Sequence, residues 1–339
     1  MAPAEHAHHP PFRPHRWIRG GHLQTVAISF FKTRIDFPAT KRHEITLPDG
    51  DQIVLHDDTP GDWREGSPSL LIVHGLCGSH QTGYVVRLTH RFLRRGVRVF
   101  RLDMRGCGAG FGLAEGLNHA GRSGDLCAAL EQIALITHEG PLWIVGSSLG
   151  GAQTLKMLGE LYRDRPLSEE ASESPQRSAL QQRLQRVAVV APPVDLLACS
   201  RNMQRFHLRL YNRYFIGQLL GRIPPRVRQS EGWQRIDLAR RPRTMFELDH
   251  RVTAPLSGFD SALDYYTRCS ALEGLSAIGV RTLVLAASDD PIVPIETLDH
   301  APWSPVTTLE RVTGGGHVAF LQRGPQPHWM DQRLEQWFC

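Results

Sequence analysis

The sequence predicts an α/β protein built on a doubly wound, mostly parallel sheet of about eight strands. Short apolar runs alternate along the 339 residues with longer stretches whose apolar residues recur at helical spacing. Five of the runs end in loops rich in Gly, Pro, Asp or His, and a functional site is expected where the carboxyl ends of parallel strands meet. One stretch, 196–255, has helical spacing without a strand pattern. It predicts a helical cap inserted after the sixth strand.

The strands follow from these runs. Segments 43–47 and 52–56 flank Pro48-Asp49-Gly50, a turn signal that predicts a hairpin. The later strands are predicted at 70–73, 97–102, 142–145, 187–190, 282–287 and 307–312.

Two helices follow from their apolar faces. After Ser123, a candidate N-cap, Leu126 and Leu130 lie one turn apart on one apolar face. The segment after Ser148 has the same spacing. The polar stretch 163–183 is expected to be a surface loop or helix.

These elements predict four segments along the chain. They are an N-terminal extension (1–40), a first part of the sheet domain (41–195), the helical cap (196–257) and a second part of the sheet domain (258–339).

Composition excludes several classes of protein. Hydrophobic residues make up 41 % and charged residues 22 %, which is typical of a globular chain. No apolar run approaches the ~20 residues of a membrane helix, and the N-terminus has no secretory pattern. The 36 arginines are scattered despite a net charge of +5, so nucleic acid is not an expected partner.

The six cysteines form no CxxC pair, and a chain of this length can bury a core without disulfides. We therefore expect a reducing compartment, the cytoplasm. A zinc site from Cys77 with His74 and His80 lacks a second ligand pair, so no metal is expected. No organic cofactor is expected either, and the sequence does not predict an oligomeric state.

The strongest chemical signal is Gly146-Ser147-Ser148-Leu149-Gly150, a GxSxG pattern between an apolar strand and an apolar-faced helix. The pattern alone is weak, but this context is what a nucleophile elbow requires. It predicts Ser148 as a nucleophile held in a strained turn, with Ser147 off the centre of the pattern. The alternative is a Ser/Gly-rich turn without chemistry.

A serine hydroxyl needs a general base, and the base needs an orienting carboxylate. His317 follows three glycines in a loop after the strand 307–312, and is the candidate base. Asp289 and Asp290 follow the strand 282–287 and are both candidates for the acid. The alternative for His317 is an exposed loop histidine.

Acyl transfer also needs two donors for the developing oxyanion. The predicted donors are the backbone N–H groups of Leu149 and of Leu76, in the loop after the strand 70–73. His74 is expected to brace that loop. Asp103 and Arg105, after the next strand, are expected to fix a structural turn, with substrate contact as the alternative.

Taken together, these residues resemble the YheT-like branch of the α/β-hydrolases, over about residues 12 to 338. The resemblance rests on motifs beyond the elbow: Gly21-His22-Leu23-Gln24-Thr25, Leu47-Pro48-Asp49-Gly50, His74-Gly75-Leu76-Cys77-Gly78-Ser79, Arg105-Gly106-Cys107-Gly108 and Gly315-Gly316-His317-Val318.

The resemblance implies an α/β-hydrolase fold and a triad of Ser148, Asp290 and His317, with Asp289 as the alternative acid. Asp290 is favoured because it directly precedes Pro291, the usual arrangement in these hydrolases. Ser147 departs from relatives that often carry Phe or Tyr there. No mechanism follows for Gln24 and Thr25.

The leading hypothesis is a serine carboxylesterase acting on short- to medium-chain esters. The cap aromatics Phe206, Tyr211, Tyr214 and Phe215 are the candidate lining of an acyl pocket, although such spacing is also typical of core. A lipase or phospholipase with membrane contact through the Arg-rich cap, an acyltransferase and a non-catalytic binding protein are the alternatives.

Overall fold

The computed structural model describes residues 11–339 except 32, 34, 38 and 164–174. Its centre is an eight-stranded sheet in the order β1-β2-β4-β3-β5-β6-β7-β8, in which β2 is antiparallel to β1 and β4 and all other pairs are parallel. The strands are β1 Lys41–Thr46, β2 Gln52–Asp58, β3 Ser69–Val73, β4 Arg98–Asp103, β5 Leu142–Ser147, β6 Leu184–Val190, β7 Arg281–Ala287 and β8 Thr307–Val312.

The first two strands form the predicted hairpin. The amide of Leu47 donates to the carbonyl of Asp51, and Gly50 closes the turn at φ +86°. A left-handed residue at this position favours glycine, which explains the turn signal in the sequence.

Helices cover both faces of the sheet, and further helices form the cap. They are α1 Gly21–Ala27, α2 Gly83–Leu93, α3 Ser123–Thr137, α4 Leu149–Tyr162, α5 Pro175–Arg183, α6 Leu196–Met203, α7 Arg209–Gly221, α8 Pro225–Gln229, α9 Glu231–Gln234, α10 Met245–Leu248, α11 Ala254–Leu256, α12 Ala262–Cys269, α13 Ile295–Asp299 and α14 Trp329–Phe338. A π-helical turn, Asp249–Thr253, joins α10 to α11.

Alternate side chains of the central strands build two separate cores. On one face, Leu71 and Ile144 belong to a cluster that includes side chains of α3 and α4. On the other face, Ile72 and Val145 belong to a cluster with α2 and α14. Both faces are apolar because both are covered by helices, which is why these strands read as continuous apolar runs.

The fold class predicted from the sequence is confirmed: the chain is an α/β protein with all eight predicted strands. Boundaries differ by a few residues. β6 begins at Leu184 rather than 187, because Leu184 and Arg186 already pair with β5, and Gln185 lies at a register shift between them. Ser123 is the first residue of α3 and not its N-cap; Arg122 holds that position without a side-chain cap.

The regular elements between residues 196 and 257 are all helices, from α6 to α11. They follow β6 in the chain. Of the polar stretch 163–183, residues 175–183 form α5, and 164–174 lie outside the described residues. Among the described residues, no helix has the length and apolar character needed to cross a membrane.

Candidate active site

The turn between β5 and α4 leaves Ser148 partly exposed and buries its neighbour. Ser148 has φ +51° and ψ −123°, a strained conformation for a residue with a side chain. Ser147 is fully buried. A Cβ at Gly146 would lie 2.6 Å from Thr154 Oγ1, and one at Gly150 would lie 2.4 Å from the carbonyl oxygen of His74. Glycine at these two positions lets strand and helix approach closely enough to form the turn.

The structure brings Ser148, His317 and Asp290 into one hydrogen-bonded row. Ser148 Oγ lies 2.8 Å from His317 Nε2, and His317 Nδ1 lies 2.8 Å from Asp290 Oδ2. These residues are 169 and 27 positions apart in the sequence. The side chains of His317 and Asp290 are 11 % and 2 % exposed. This arrangement supplies a hydroxyl, a base and an orienting carboxylate.

The two neighbouring aspartates have different partners. Asp290 Oδ1 accepts the amides of Ile292 and Val293 at 2.8 and 3.0 Å, which fixes the carboxylate beside His317. Asp289 Oδ1 instead accepts the amides of Gly314 and Gly316, both at 3.2 Å. Asp289 therefore holds the histidine loop, and the structure places Asp290 rather than Asp289 against the imidazole.

The loop after β3 lies against Ser148. A Cβ at Gly75 would lie 3.1 Å from Ser148 Cβ. His74 braces this loop: its Nδ1 donates to the carbonyl of Gly75 at 2.8 Å, and its Nε2 accepts the amide of Met104 at 3.3 Å. Burial lowers the pKa of His74, so the neutral imidazole that makes both bonds is favoured.

The predicted donors Leu76 and Leu149 lie on the two segments that meet at Ser148. Both side chains belong to one apolar cluster with residues of α12. Leu149 is the first residue of α4, where amides have no partner within the helix. The location of these two residues is therefore consistent with an oxyanion hole.

Two contacts in this region were not predicted. Tyr84 Oη accepts the amide of Gly75 at 2.9 Å, and burial raises the pKa of Tyr84 to about 12. Arg222, in the cap, donates to the carbonyl of Cys77. Cap and loop are thus in direct contact.

A cavity of about 450 Å³ opens beside Leu76, between this loop and the cap. Its cap side is mainly aliphatic: Leu219, Leu220, Ile223, Pro224, Leu248 and Val252. The size is in the range of small-molecule sites.

The four aromatics predicted to line an acyl pocket do not line this cavity. Phe206 and Tyr214 are 74 % and 59 % exposed, Tyr211 contacts His22, and Phe215 packs on Tyr214. Helix geometry explains the difference. Ile216, Leu219 and Leu220 share one face of α7, whereas Tyr214 lies on another face and Phe206 precedes the helix in a 3₁₀ turn.

A second carboxylate–histidine cluster forms at the end of β4. Asp103 Oδ2 lies 3.0 Å from His56 Nε2 and 2.6 Å from His80 Nδ1. Within the described residues these three are the group whose donor atoms come close enough to hold a metal ion. However, the two imidazoles are stacked, with centroids 3.6 Å apart and planes within 16°. An ion cannot lie in both ring planes at once, so the arrangement fits hydrogen bonding rather than ligation.

Arg105 forms a separate structural cluster. It pairs with Asp125 through two nitrogens at 2.9 and 2.8 Å and also donates to Asp49 and Asp51. Asp103 and Arg105 thus fix the turn after β4 through different partners. In the part of the chain that the structure describes, neither Asp103 nor Arg105 forms a hydrogen bond with Ser148.

A sequence comparison identifies the family of the chain. The sequence profile of the α/β hydrolase fold family matches residues 68–324. The chain belongs to this family.

Curated relatives identify the branch of the family to which the chain is similar. "Putative esterase YheT" from Escherichia coli (strain K12) is 29 % identical over 333 residues, which cover 96 % of this chain and 92 % of that protein. "Embryogenesis-associated protein EMB8" from Picea glauca is 24 % identical over 347 residues, 95 % of this chain and 70 % of that one. "Phospholipase ABHD3" from Mus musculus is 25 % identical over 329 residues, with 92 % and 73 % covered. These relatives confirm the YheT-like branch predicted from the sequence.

Solved structures agree on the fold. Est1E from Butyrivibrio proteoclasticus aligns with a TM-score of 0.54 at 12 % identity, covering 88 % of this chain and 97 % of that one. The 2,6-dihydroxy-pseudo-oxynicotine hydrolase aligns with a TM-score of 0.55 at 15 % identity, covering 93 % and 71 %. At these identities the likeness concerns architecture alone.

Proposed function

We propose that the protein is a serine carboxylesterase that cleaves short- to medium-chain carboxylic esters through an acyl-enzyme on Ser148. The wider class is set by the family: the chain is a carboxylic ester hydrolase. The proposal concerns the residues that carry the reaction and the substrate they take. The single observation that supports it most is the row Ser148–His317–Asp290, with both connecting distances at 2.8 Å.

The row supplies each proton transfer of ester hydrolysis. His317 Nε2 takes the proton from Ser148 Oγ as that oxygen attacks the ester carbonyl. The resulting imidazolium gives its proton to the departing alcohol oxygen, which leaves an ester on Ser148. Water then attacks this acyl-enzyme, with His317 again taking a proton, and the acid product leaves with the serine hydroxyl restored. Asp290 holds the imidazole in the required tautomer throughout.

The two segments around Ser148 provide charge stabilisation in this proposal. The carbonyl oxygen becomes negative in each tetrahedral intermediate, and the amides of Leu149 and Leu76 are the proposed donors. The positive end of α4, a helix of 14 residues, points at the same place. Losing one such donor typically costs about 10²–10³-fold in rate.

A fluorophosphonate probe tests the nucleophile directly, because it phosphonylates an activated serine and adds a defined mass. We expect one adduct on the wild-type protein and none on Ser148→Ala. The matched control is Ser147→Ala, which removes a buried hydroxyl one residue away and should label like the wild type. An adduct that persists in Ser148→Ala would contradict the proposal.

The aliphatic cavity beside Leu76 is the proposed acyl site. Leu220→Trp fills it from the cap side, and we expect kcat/KM for octanoyl esters to fall about tenfold or more while acetyl esters change less than threefold, since a lost methylene contact costs about 1–3 kcal/mol. Leu210→Trp is the control, because Leu210 lies on α7 but is 77 % exposed. An equal loss for both esters would exclude this cavity as the acyl site.

A second candidate is a lipid-directed acyl hydrolase, and the exposed surface favours it. Residues 11–31 and 196–230 contain no acidic residue but three and seven arginines respectively. The same segments expose Trp17, Phe30, Phe206 and Leu210, each more than 70 % accessible. They meet where the ring of His22 contacts His207 and Tyr211. A basic, apolar surface of this kind suits an anionic lipid surface.

Vesicle sedimentation separates the two candidates. For the lipid-directed enzyme we expect binding to phosphatidylglycerol vesicles but not to phosphatidylcholine, and loss of binding at 0.5 M salt. The triple variant Phe206→Ser, Leu210→Ser, Tyr214→Ser should not bind, whereas Leu135→Ser, an exposed leucine on α3, should bind normally. No binding by the wild type would leave the esterase acting on dispersed esters.

We also propose a cytoplasmic location. All six cysteines are free thiols in the structure, and proteins of oxidising compartments commonly carry disulfides instead. Such thiols suit a reducing compartment.

A further inference from the structure

The segment Gly21-His22-Leu23-Gln24-Thr25 begins α1, and α1 lies between the two loops that carry Asp290 and His317. A Cβ at Gly21 would lie only 1.6 Å from the carbonyl oxygen of Asp289, so no larger residue fits there. On the other side, a Cβ at Gly316 would lie 2.5 Å from the carbonyl oxygen of Gly21. The start of α1 is therefore in van der Waals contact with both loops.

Thr25 bonds directly to the candidate base. Its Oγ1 accepts the backbone amide of His317 at 2.8 Å, across 292 residues of sequence, and donates to the carbonyl of Gly21 at 2.6 Å. The hydroxyl thus ties the backbone of His317 to the first turn of α1.

Gln24 fixes the same loop a few residues further on. Its side chain is fully buried. Its Nε2 donates to the carbonyl of Leu321 at 2.9 Å, and its Oε1 accepts the amide of Leu321 at 2.7 Å. A third bond from Nε2, to the carbonyl of Ile18 at 2.8 Å, anchors the pair to the chain before α1. The loop is held at His317 and again at Leu321.

The histidine loop needs such external bonds. Gly316 and Val318, on either side of His317, have φ of +60° and +57°. A left-handed valine is strained by about 1–3 kcal/mol and persists only where the surroundings impose it. Asp289 supplies part of the restraint through long bonds to Gly314 and Gly316. The bond from Thr25 is made to the backbone amide of His317 itself.

We infer that Thr25 is a positioning residue for His317. Helix α1 therefore belongs to the active site, because it holds the loop that carries this histidine. The inference rests on the proposed function and goes beyond it. Thr25 touches no reacting atom. It fixes the histidine backbone so that one imidazole reaches both Ser148 and Asp290, and a shift of about 1 Å in such a group can cost on the order of 10²-fold in rate.

Three substitutions at Thr25 test this. Thr25→Val keeps the shape but has no acceptor, and Thr25→Ala also has none while favouring the helix, so it is the safer variant for folding. Thr25→Ser keeps the hydroxyl. The control is Ser29→Ala, which removes an exposed hydroxyl just after α1 that donates to the carbonyl of Val26 and, within the described residues, forms no hydrogen bond with His317.

The measurement is kcat and KM on a soluble ester, with active sites counted by fluorophosphonate titration so that misfolded protein is excluded. We expect kcat per titrated site to fall about ten- to hundredfold in Thr25→Val and Thr25→Ala. KM should stay within about twofold, because Thr25 does not contact the cavity. Thr25→Ser and Ser29→Ala should keep kcat within about twofold of the wild type.

The outcomes separate this inference from the proposed function. If the wild type is labelled at Ser148 and Thr25→Val and Thr25→Ala keep its kcat, the inference is overturned and the esterase proposal stands. Equal losses in Thr25→Ser and Thr25→Val would also overturn it, since the hydroxyl would not be the cause. A wild type that is not labelled at Ser148 would overturn both.

Discussion

Two carboxylate–histidine clusters stand at the carboxyl ends of β4 and β7, and they are built differently from the same residue types. Asp290 contacts one histidine, whose second ring nitrogen faces Ser148. Asp103 is shared by two histidines that stack on each other. Among the residues that the structure describes, no serine hydroxyl forms a hydrogen bond with Asp103, His56 or His80.

The second cluster is closed. Asp103 also accepts the amides of His80 and Ala109, both at 2.7 Å, and is fully buried. A Cβ at Gly108 would lie 2.3 Å from its carboxylate, so the turn wraps tightly around it. The comparison teaches that a buried carboxylate and a histidine do not define a catalytic site. What distinguishes the first cluster is that the second imidazole nitrogen of its histidine bonds to a serine hydroxyl, Ser148 Oγ.

The two clusters should differ most in how much ester hydrolysis is lost when their aspartate is replaced. We expect Asp290→Asn to lower kcat by about 10³–10⁴-fold, because the amide favours the wrong imidazole tautomer. Asp103→Asn should keep kcat within about tenfold, since its histidines do not contact Ser148. Ester hydrolysis by the purified, folded variants measures this, and similar losses in both would erase the distinction between the clusters.

The order of the two variants should be reversed for the free energy of unfolding, with the larger loss in Asp103→Asn. Asp103→Asn leaves donors that were paired with a buried charge, and we expect the free energy of unfolding to fall by about 3 kcal/mol at pH 7. Asp290→Asn keeps the oxygen that accepts the amides of Ile292 and Val293, so its loss should be below about 1 kcal/mol. Urea unfolding of both variants provides the comparison. A loss of unfolding free energy in Asp290→Asn as large as that in Asp103→Asn would contradict this expected difference.

The smallest effect concerns pH. Burial alone would raise the pKa of Asp103, but hydrogen bonds from His56, His80 and two amides hold it well below its usual range. A depressed folded-state pKa stabilises the protein above the unfolded value of 3.8, and this contribution is lost as pH falls below that value. The stability gap between wild type and Asp103→Asn should therefore narrow as the pH falls below about 4. A gap independent of pH would mean that Asp103 carries no such charge.

Much of the site was predictable because local sequence determines it. The elbow needs a strand, small residues at Gly146 and Gly150 and a helix, and all are adjacent in the chain. The acid and base each follow a strand, so topology alone brings them to one edge of the sheet. The choice between Asp289 and Asp290 depended on the resemblance to known hydrolases. The structure adds the reason: only Asp290 faces the imidazole.

The rest depends on contacts between distant segments. The bond from Thr25 to His317 joins the two ends of the chain, and no periodicity or spacing signals it. None of the four cap aromatics lines the cavity beside Leu76, because helical spacing shows which residues share a face but not which face turns inward. Asp103 was correctly expected to fix a turn, but its partners His56 and His80 come from other strands and loops.

The most direct test compares the two clusters at the nucleophile itself, through the second-order rate of fluorophosphonate labelling of Ser148 in His317→Ala and His56→Ala. Labelling needs the base that activates the hydroxyl but no particular substrate, so it isolates the central claim. We predict that His317→Ala labels at least about 10³-fold more slowly than the wild type, as expected for the loss of a general base, while His56→Ala labels within about threefold of it. Equal rates for the two variants would contradict the assignment of His317 as the base.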